Sequence, residues 1–247
     1  MEPEEALVVP RCTAENLDTF THRNAILEAL KETSPLFCGS LLDVGCGYMP
    51  YRSFLLKAPS RVTRYLGLDL KPNKHYTNHP DVIWDGACIP LLDSSFDCAI
   101  ATEVFEHCPN LDMVLREIWR VLKPGGLLFF TVPFLWPLHN VPNDECRYTP
   151  FSLHRHLMNT GFREIQIKAL GGWDAAMAQM VGLWVNRRPM SKNKRIIASR
   201  LAVPILRYLT NRDCPPQEFR ETCMISGLSG RAFKAKYEIS TQTTSLK

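Results

Sequence analysis

The chain lacks most of the features that assign a protein quickly. None of its nine cysteines form a CxxC pair, so the ligand spacing of zinc fingers and ribbons is missing and no metal site is expected. The odd count, and the position of Cys46, Cys88, Cys98 and Cys108 in or beside apolar runs, fit reduced thiols better than a disulfide framework. No apolar run approaches the ~18–20 residues needed to span a bilayer. Residues 1–14 are acidic and lack the apolar stretch of a secretory signal. They read as a flexible leader, residues 238–247 as a flexible tail, and the cytoplasm as the expected location. There is no internal repeat and no low-complexity tract. The net charge of +4 is too small to imply a partner, and 45% hydrophobic with 22% charged residues is ordinary for a folded domain.

One segment lacks acidic residues altogether. From Ala175 to Arg212 the charged residues are Arg187, Arg188, Lys192, Lys194, Arg195, Arg200, Arg207 and Arg212, all basic, which leaves the rest of the chain mildly acidic.

What is present is an alternation of apolar strands and amphipathic helices. Glu15–Glu32 carries Leu17, Phe20, Ile26, Leu27 and Leu30 at helical spacing. Strands are expected at Ser40–Val44, Arg64–Asp69, Asp81–Trp84, Phe96–Thr102, Leu127–Val132 and Phe162–Lys168, with a seventh drawn from Met224–Lys234, a run broken by Gly227 and Gly230. Helices are expected near Tyr51–Lys57, over Leu111–Leu122 and over Pro150–Thr160, the last stopped by Gly161. Lys123–Gly126 reads as a turn, because proline and glycine end helices. Residues 172–215 form a long insertion, read as two helices before the last strand. This order predicts an α/β fold: one Rossmann-like domain over 15–237, a mostly parallel sheet with helices on both faces. Ligands of such sheets bind beyond the carboxyl ends of the strands, which directs attention to the loops there.

The first of those loops, Leu42-Asp-Val-Gly-Cys-Gly-Tyr48, has glycines that permit a tight turn and close backbone approach to a ligand. It is not the dinucleotide fingerprint, since Pro50 stands where a third glycine or alanine belongs; this disfavours a nicotinamide or flavin cofactor. Asp69, followed by Leu70, closes the second strand, where a carboxylate can accept hydrogen bonds from both hydroxyls of a ribose. Asp85 follows the third strand, where it can accept from an adenine amino group while the Gly86 N–H meets a ring nitrogen. Each also has a plainer reading, as a solvated strand end or a turn-forming Asp-Gly.

Taken with that loop, the run Asp85-Gly-Ala-Cys-Ile-Pro-Leu-Leu-Asp-Ser-Ser-Phe-Asp97, then Glu103-Val-Phe-Glu-His107, then Leu115-Arg-Glu-Ile-Trp-Arg-Val-Leu-Lys-Pro-Gly-Gly126, closely resembles class I S-adenosylmethionine-dependent methyltransferases, in particular the ubiquinone-type subgroup. The resemblance spans about residues 40–132. It implies a seven-stranded sheet with the last strand antiparallel and S-adenosyl-L-methionine as cofactor. It implies Asp43, Gly45 and Gly47 around the methionine part, Asp69 on the ribose, Asp85 and Gly86 on the adenine, and Thr102 and Glu103 near the sulfonium. The sequence departs from the family's pattern at the third glycine, where Met49-Pro50 stands.

A sulfonium methyl is already electrophilic, so the protein's main task is to orient a nucleophile; a hydroxyl acceptor also needs a base. His107 and His139, in loops bordering the expected pocket, are the candidate bases, against plain packing or loop-bracing roles. Asp144, Arg147 and Tyr148 either shape the acceptor pocket or form a structural polar cluster. Cys46 reads as a small filler. The expected acceptor is a small molecule, lipid or glycan, methylated at oxygen. A protein or RNA acceptor, or a non-catalytic binding module, are the alternatives. The Asn/Asp-Pro-Pro-Tyr/Phe type of motif is absent after the fourth strand, which disfavours an exocyclic base amine, and no stacking platform suggests nucleic acid. For 173–212 three readings stand: helices packed on the sheet edge with a solvated basic loop, a lid over an apolar or lipid-linked acceptor, or a peripheral contact with an anionic membrane surface.

Overall fold

The computed structural model describes residues 11–71 and 79–236. The expected tail and the first ten residues of the expected leader lie outside them. Of the leader's remainder, Cys12 is buried and its carbonyl accepts a 2.8 Å hydrogen bond from Arg207 Nη2.

Seven strands form one sheet in the order β3-β2-β1-β4-β5-β7-β6. They are β1 Cys38–Val44, β2 Arg61–Leu70, β3 Val82–Trp84, β4 Phe96–Thr102, β5 Leu122–Pro133, β6 Phe162–Ala169 and β7 Gly227–Lys234. The pairs among β1 to β5 are parallel, and β7 runs antiparallel to both neighbours. The helices are α1 Leu17–Thr33, α2 Arg52–Leu55, α3 Leu111–Val121, α4 Pro150–Thr160, α5 Trp173–Arg187 and α6 Lys192–Arg212. The Rossmann-like sheet with its antiparallel last strand and helical insertion is as the sequence led us to expect.

Adjacent strand residues point to opposite faces, and the core divides accordingly. Leu42, Ala99, Leu128 and Phe130 pack with α3 and α4 residues such as Leu115, Ile118 and Leu153. Leu41, Cys98, Ile100 and Phe129 pack with Ile26 and Leu30 of α1. Local signals set the helix ends. Asn110 accepts from the Met113 N–H at the start of α3. Thr149 and Ser152 form a capping box with Pro150 at the first turn of α4, and Gly161 closes that helix at φ 106°.

Two expectations need correction. Lys123–Gly126 is not a turn before β5 but lies inside it. The β4 step from Phe96 to Cys98 faces the β5 step from Leu122 to Leu127, so the extra residues bulge outward within a continuous strand. Gly230 does not break β7 either; a Cβ there would lie 2.2 Å from Phe130 Cζ, so the missing side chain makes room for that ring.

The insertion packs on α1. A Cβ at Gly182 of α5 would come within 2.0 Å of the Leu17 carbonyl oxygen, so the two backbones touch. Asp18 of α1 is held from α5 by Asn186 and Arg187, the latter at 2.6 Å, and its carbonyl accepts from Gln179. Among the described residues, no helix is long and apolar enough to cross a membrane.

Candidate functional site

Strand order reverses between β1 and β4, so a crevice opens at the carboxyl ends of β1, β2, β3, β4 and β5. The glycine loop curls over the end of β2, with the N–H groups of Gly45 and Cys46 both donating to the Leu68 carbonyl. Gly45 and Gly47 both adopt positive φ, and a Cβ at Gly45 would lie 2.5 Å from Val104. Only glycine fits there without strain. Cys46 is buried, and burial pushes its thiol far up, as befits a filler.

Asp69 sits half-buried at the end of β2. One carboxylate oxygen accepts from the Gly47 N–H and the other from the Leu70 N–H, each at 2.7 Å. Each oxygen keeps a lone pair for a further donor. Leu70 pairs with Trp84 in register, which places Asp85 just past the neighbouring strand tip. Asp85 is exposed; its Oδ1 accepts from Ala87 and Cys88 at 2.8 Å, and those bonds lower its pKa. It therefore does form the expected turn, with Gly86 at φ 84° beside the exposed Leu70 side chain. Carboxylate, apolar flank and open glycine backbone suit a nucleoside laid across the two tips.

The turn is braced from α3. Arg120 donates to the carbonyls of Ile89 and Leu91 and to Glu117 and Asp93, while Glu117 accepts from the Ile89 N–H. Lys123 reaches Asp97, which also receives the backbone and hydroxyl of Ser40. The linked sequence motifs are thus in direct contact.

Asp43 lies beneath the glycine loop, 1% exposed, with Tyr65 donating its hydroxyl to Oδ2 and no hydrogen-bond partner for Oδ1 among the described residues. Burial pushes its pKa up to about 7. A carboxyl whose folded value exceeds the unfolded one favours the folded state most at low pH, and that benefit is lost as pH rises from about 4 through 7. Asp43→Asn removes the titration. Its stability relative to the parent should therefore improve between pH 4 and pH 8, by up to ~4 kcal/mol. Urea midpoints at the two pH values measure this, and an unchanged difference would refute the assignment.

At the end of β4, Thr102 pairs in register with Thr131. Glu103 adopts φ 58° and turns its carboxylate toward α1: His22 Nε2 is 2.6 Å from one oxygen, and Thr131 donates to the other at 2.9 Å. Burial opposes ionisation there, but His22, Arg23 and Thr131 hold the carboxyl below its usual range. The sequence reading placed Glu103 near the sulfonium; in the structure its carboxylate ties α1 to the strand tips. His22 further stacks against Trp136, with centroids 4.9 Å apart. Neither His22 nor Trp136 was singled out from sequence, since each gains meaning only once α1 is folded back across the crevice.

The two candidate bases do meet. His107 and His139 have ring centroids 4.7 Å apart. His107 Nδ1 is 2.8 Å from the Asn143 carbonyl oxygen, so Nδ1 carries the hydrogen and Nε2 the lone pair. Desolvation, partly offset by Asp144, lowers the His139 pKa. Asp144 and Arg147 form a two-point ion pair at 2.6 and 2.8 Å, which keeps the Asp144 carboxyl well below its usual range. The Asp144 carboxylate also accepts from the His139 N–H. The pair braces the histidine loop. Tyr148 is buried in the core with its ring edge-on to His156. A residue missed from sequence completes the cluster: Glu106 is fully buried, and burial together with the charge of Glu103 pushes its pKa well up.

The fold is the Rossmann-like one found in methyltransferases. Residues 42–130 match the family described as methyltransferase domain. The chain is 31% identical over 97 residues to the malonyl-[acyl-carrier protein] O-methyltransferase of Serratia marcescens, covering 37% of each protein. It is 37% identical over 81 residues to the mitochondrial 2-methoxy-6-polyprenyl-1,4-benzoquinol methylase of Dictyostelium discoideum, covering 31% of this chain and 24% of that one. The matched segment thus spans little more than a third of the first relative's length and about a quarter of the second's. Over most of its length the fold resembles the crystal structure of a SAM dependent methyltransferase from Archaeoglobus fulgidus. That match has a TM-score of 0.54 at 18% identity and covers 85% of this chain and 94% of that one.

Proposed function

We propose that this protein binds S-adenosylmethionine and transfers its methyl group to the oxygen of a small apolar or lipid-linked acceptor, in the manner of the ubiquinone-type subgroup. The observation that carries the reading is the juxtaposition of Asp69, hydrogen-bonded to the glycine loop, with Asp85 at the next strand tip. When bound, the cofactor supplies an electrophilic methyl on a sulfonium. Asp69 offers acceptors to the ribose hydroxyls, and Asp85 with Gly86 offers an acceptor and a donor to the adenine edge. Gly45 and Gly47 let the backbone approach the methionine part. Glu103 and His22 close the far wall and place α1 over the crevice. His107 and His139 line the acceptor side, and an unprotonated imidazole there can take the proton of a hydroxyl as it attacks.

Support for an apolar acceptor comes from the insertion. Trp173, Met177, Met180 and Trp184 on α5, and Ile197, Leu201, Ile205 and Tyr208 on α6, recur every three or four residues and are each about half exposed or more. Arg188 lies over Trp184 and Arg212 over Tyr208. An exposed apolar stripe with aromatics, whose charged residues from Ala175 to Arg212 are all basic, matches the surface of an anionic bilayer, which would hold a lipid-linked acceptor close to the cleft. The test is incubation with methyl-labelled cofactor and a cell lipid extract dispersed in vesicles, with and without phosphatidylglycerol. An aqueous metabolite pool is run in parallel. Label should enter the organic phase and the protein should sediment with the anionic vesicles. Label confined to aqueous products, or no sedimentation, would contradict this acceptor class.

A further inference from the structure

We propose that Glu106, His107 and His139 bind a divalent first-row metal ion at the acceptor end of the cleft. The ligands are one carboxylate oxygen and the two imidazole Nε2 atoms. Glu106 is 0% exposed, and neither of its carboxylate oxygens has a hydrogen-bond partner among the described residues. A buried carboxylate left without partners is costly, and a cation is the group that most readily satisfies it.

The neighbours are arranged for that ion. His107 Nε2 is 3.7 Å and His139 Nε2 4.0 Å from Glu106 Oε1, and all three ligand atoms lie within 4.8 Å of one another. Ligand atoms around a tetrahedral ion with bonds of ~2.0–2.1 Å stand about 3.4 Å apart. Closing the cluster therefore needs approaches of about 0.3 and 0.6 Å toward Glu106 Oε1, and of at most about 1.4 Å between the two imidazoles. On the outer side, His107 is supported as a metal ligand requires, and His139 stands beside a carboxylate. His107 Nδ1 donates to the Asn143 carbonyl, which leaves Nε2 as the donor atom. His139 Nδ1 lies 3.2 Å from Asp144 Oδ2, an oblique contact, and Asp144 is itself fixed by Arg147. A histidine backed by a carboxylate or carbonyl is the usual outer arrangement of such sites.

Two nitrogens and one carboxylate oxygen suit zinc, iron, cobalt or manganese and leave coordination positions open. A hydroxyl acceptor taking one of these positions would have its pKa lowered by the ion. Its proton would leave to water and its oxygen would attack the methyl carbon as the C–S electron pair returns to sulfur. The products are the methyl ether and S-adenosylhomocysteine. On this account the imidazoles serve as ligands and the ion replaces them as the group that activates the acceptor. That use of the ion rests on the methyltransferase reading; the binding of the ion does not.

The probe is Mn2+, which discriminates against the chain's many thiols. Chelator-stripped protein is titrated with Mn2+, and the free aqua ion is followed by electron paramagnetic resonance. One ion should bind per chain. Glu106→Gln and His139→Asn should each weaken binding roughly tenfold or more, and Asp144→Asn by a comparable factor through the outer contact. His156→Asn, whose ring pairs with Asp112 instead, should change nothing. Circular dichroism confirms that each variant is folded, and His139→Asn serves as the second probe if Glu106→Gln is not. Absence of Mn2+ binding, or binding indifferent to both ligand variants, would overturn the site. S-adenosylmethionine titration of the same samples reports separately, so cofactor binding without Mn2+ binding sinks the metal alone.

Discussion

Replacing Asp69 with alanine will weaken S-adenosylmethionine binding by roughly ten- to hundredfold, with a melting temperature within ~5 °C of the parent. A hydrogen bond to a charged group contributes about 1.5–3 kcal/mol, and a factor of ten in affinity corresponds to about 1.4 kcal/mol. Asp69 also fixes the loop that must close around the ligand, through the 2.7 Å bond from Gly47. Affinity therefore falls by both routes. The fold should tolerate the change, because Asp69 is half-exposed and its two backbone donors can turn to water. Asp85→Ala should cost less, since Asp85 is exposed and its bond to the ligand competes more directly with water. Calorimetric titration of the three proteins checks the order. Equal affinities for all three would remove these aspartates from the site.

Replacing Glu103 with alanine will lower stability by about 3 kcal/mol or more, some 6–12 °C in melting temperature for a chain of this size. The variant leaves His22 Nε2 and Thr131 Oγ1 without their shared acceptor, in a place where the Glu103 side chain is only 16% exposed. Breaking such a pair costs more than the pair contributes, because the surviving partners stay desolvated. Glu103→Gln, which keeps the shape and can still accept from Thr131, should cost clearly less. If alanine and glutamine melt together at the parent temperature, Glu103 is not the tie between α1 and the strand tips.

Much of the architecture was legible in the sequence because its signals are local. Phe96–Thr102 and Pro150–Thr160 appear with the expected boundaries, one marked by an apolar run and the other by Thr149, Pro150 and Gly161. The loops carrying Gly45, Asp69 and Asp85 were marked as candidates because ligands of open α/β sheets bind beyond the carboxyl ends of the strands. What stayed hidden depends on contacts across long stretches of chain. His22 and Glu103 are 81 residues apart, and only the closure of α1 over the sheet brings them within 2.6 Å. Glu106 sits beside a histidine in sequence, but that its carboxylate is buried with no hydrogen-bond partner among the described residues cannot be read from residue order. The Lys123–Gly126 stretch misled for the opposite reason. Its proline and glycines do announce an interruption, but in a strand a bulge can absorb it without ending the pairing.

Soaking crystals of the protein with S-adenosylhomocysteine tests the central claim most directly. The account predicts the ribose hydroxyls within hydrogen-bond distance of Asp69 and the adenine edge against Asp85 and Gly86. A nucleoside lodged elsewhere, or an empty cleft at saturating ligand with both aspartates facing away, would contradict it.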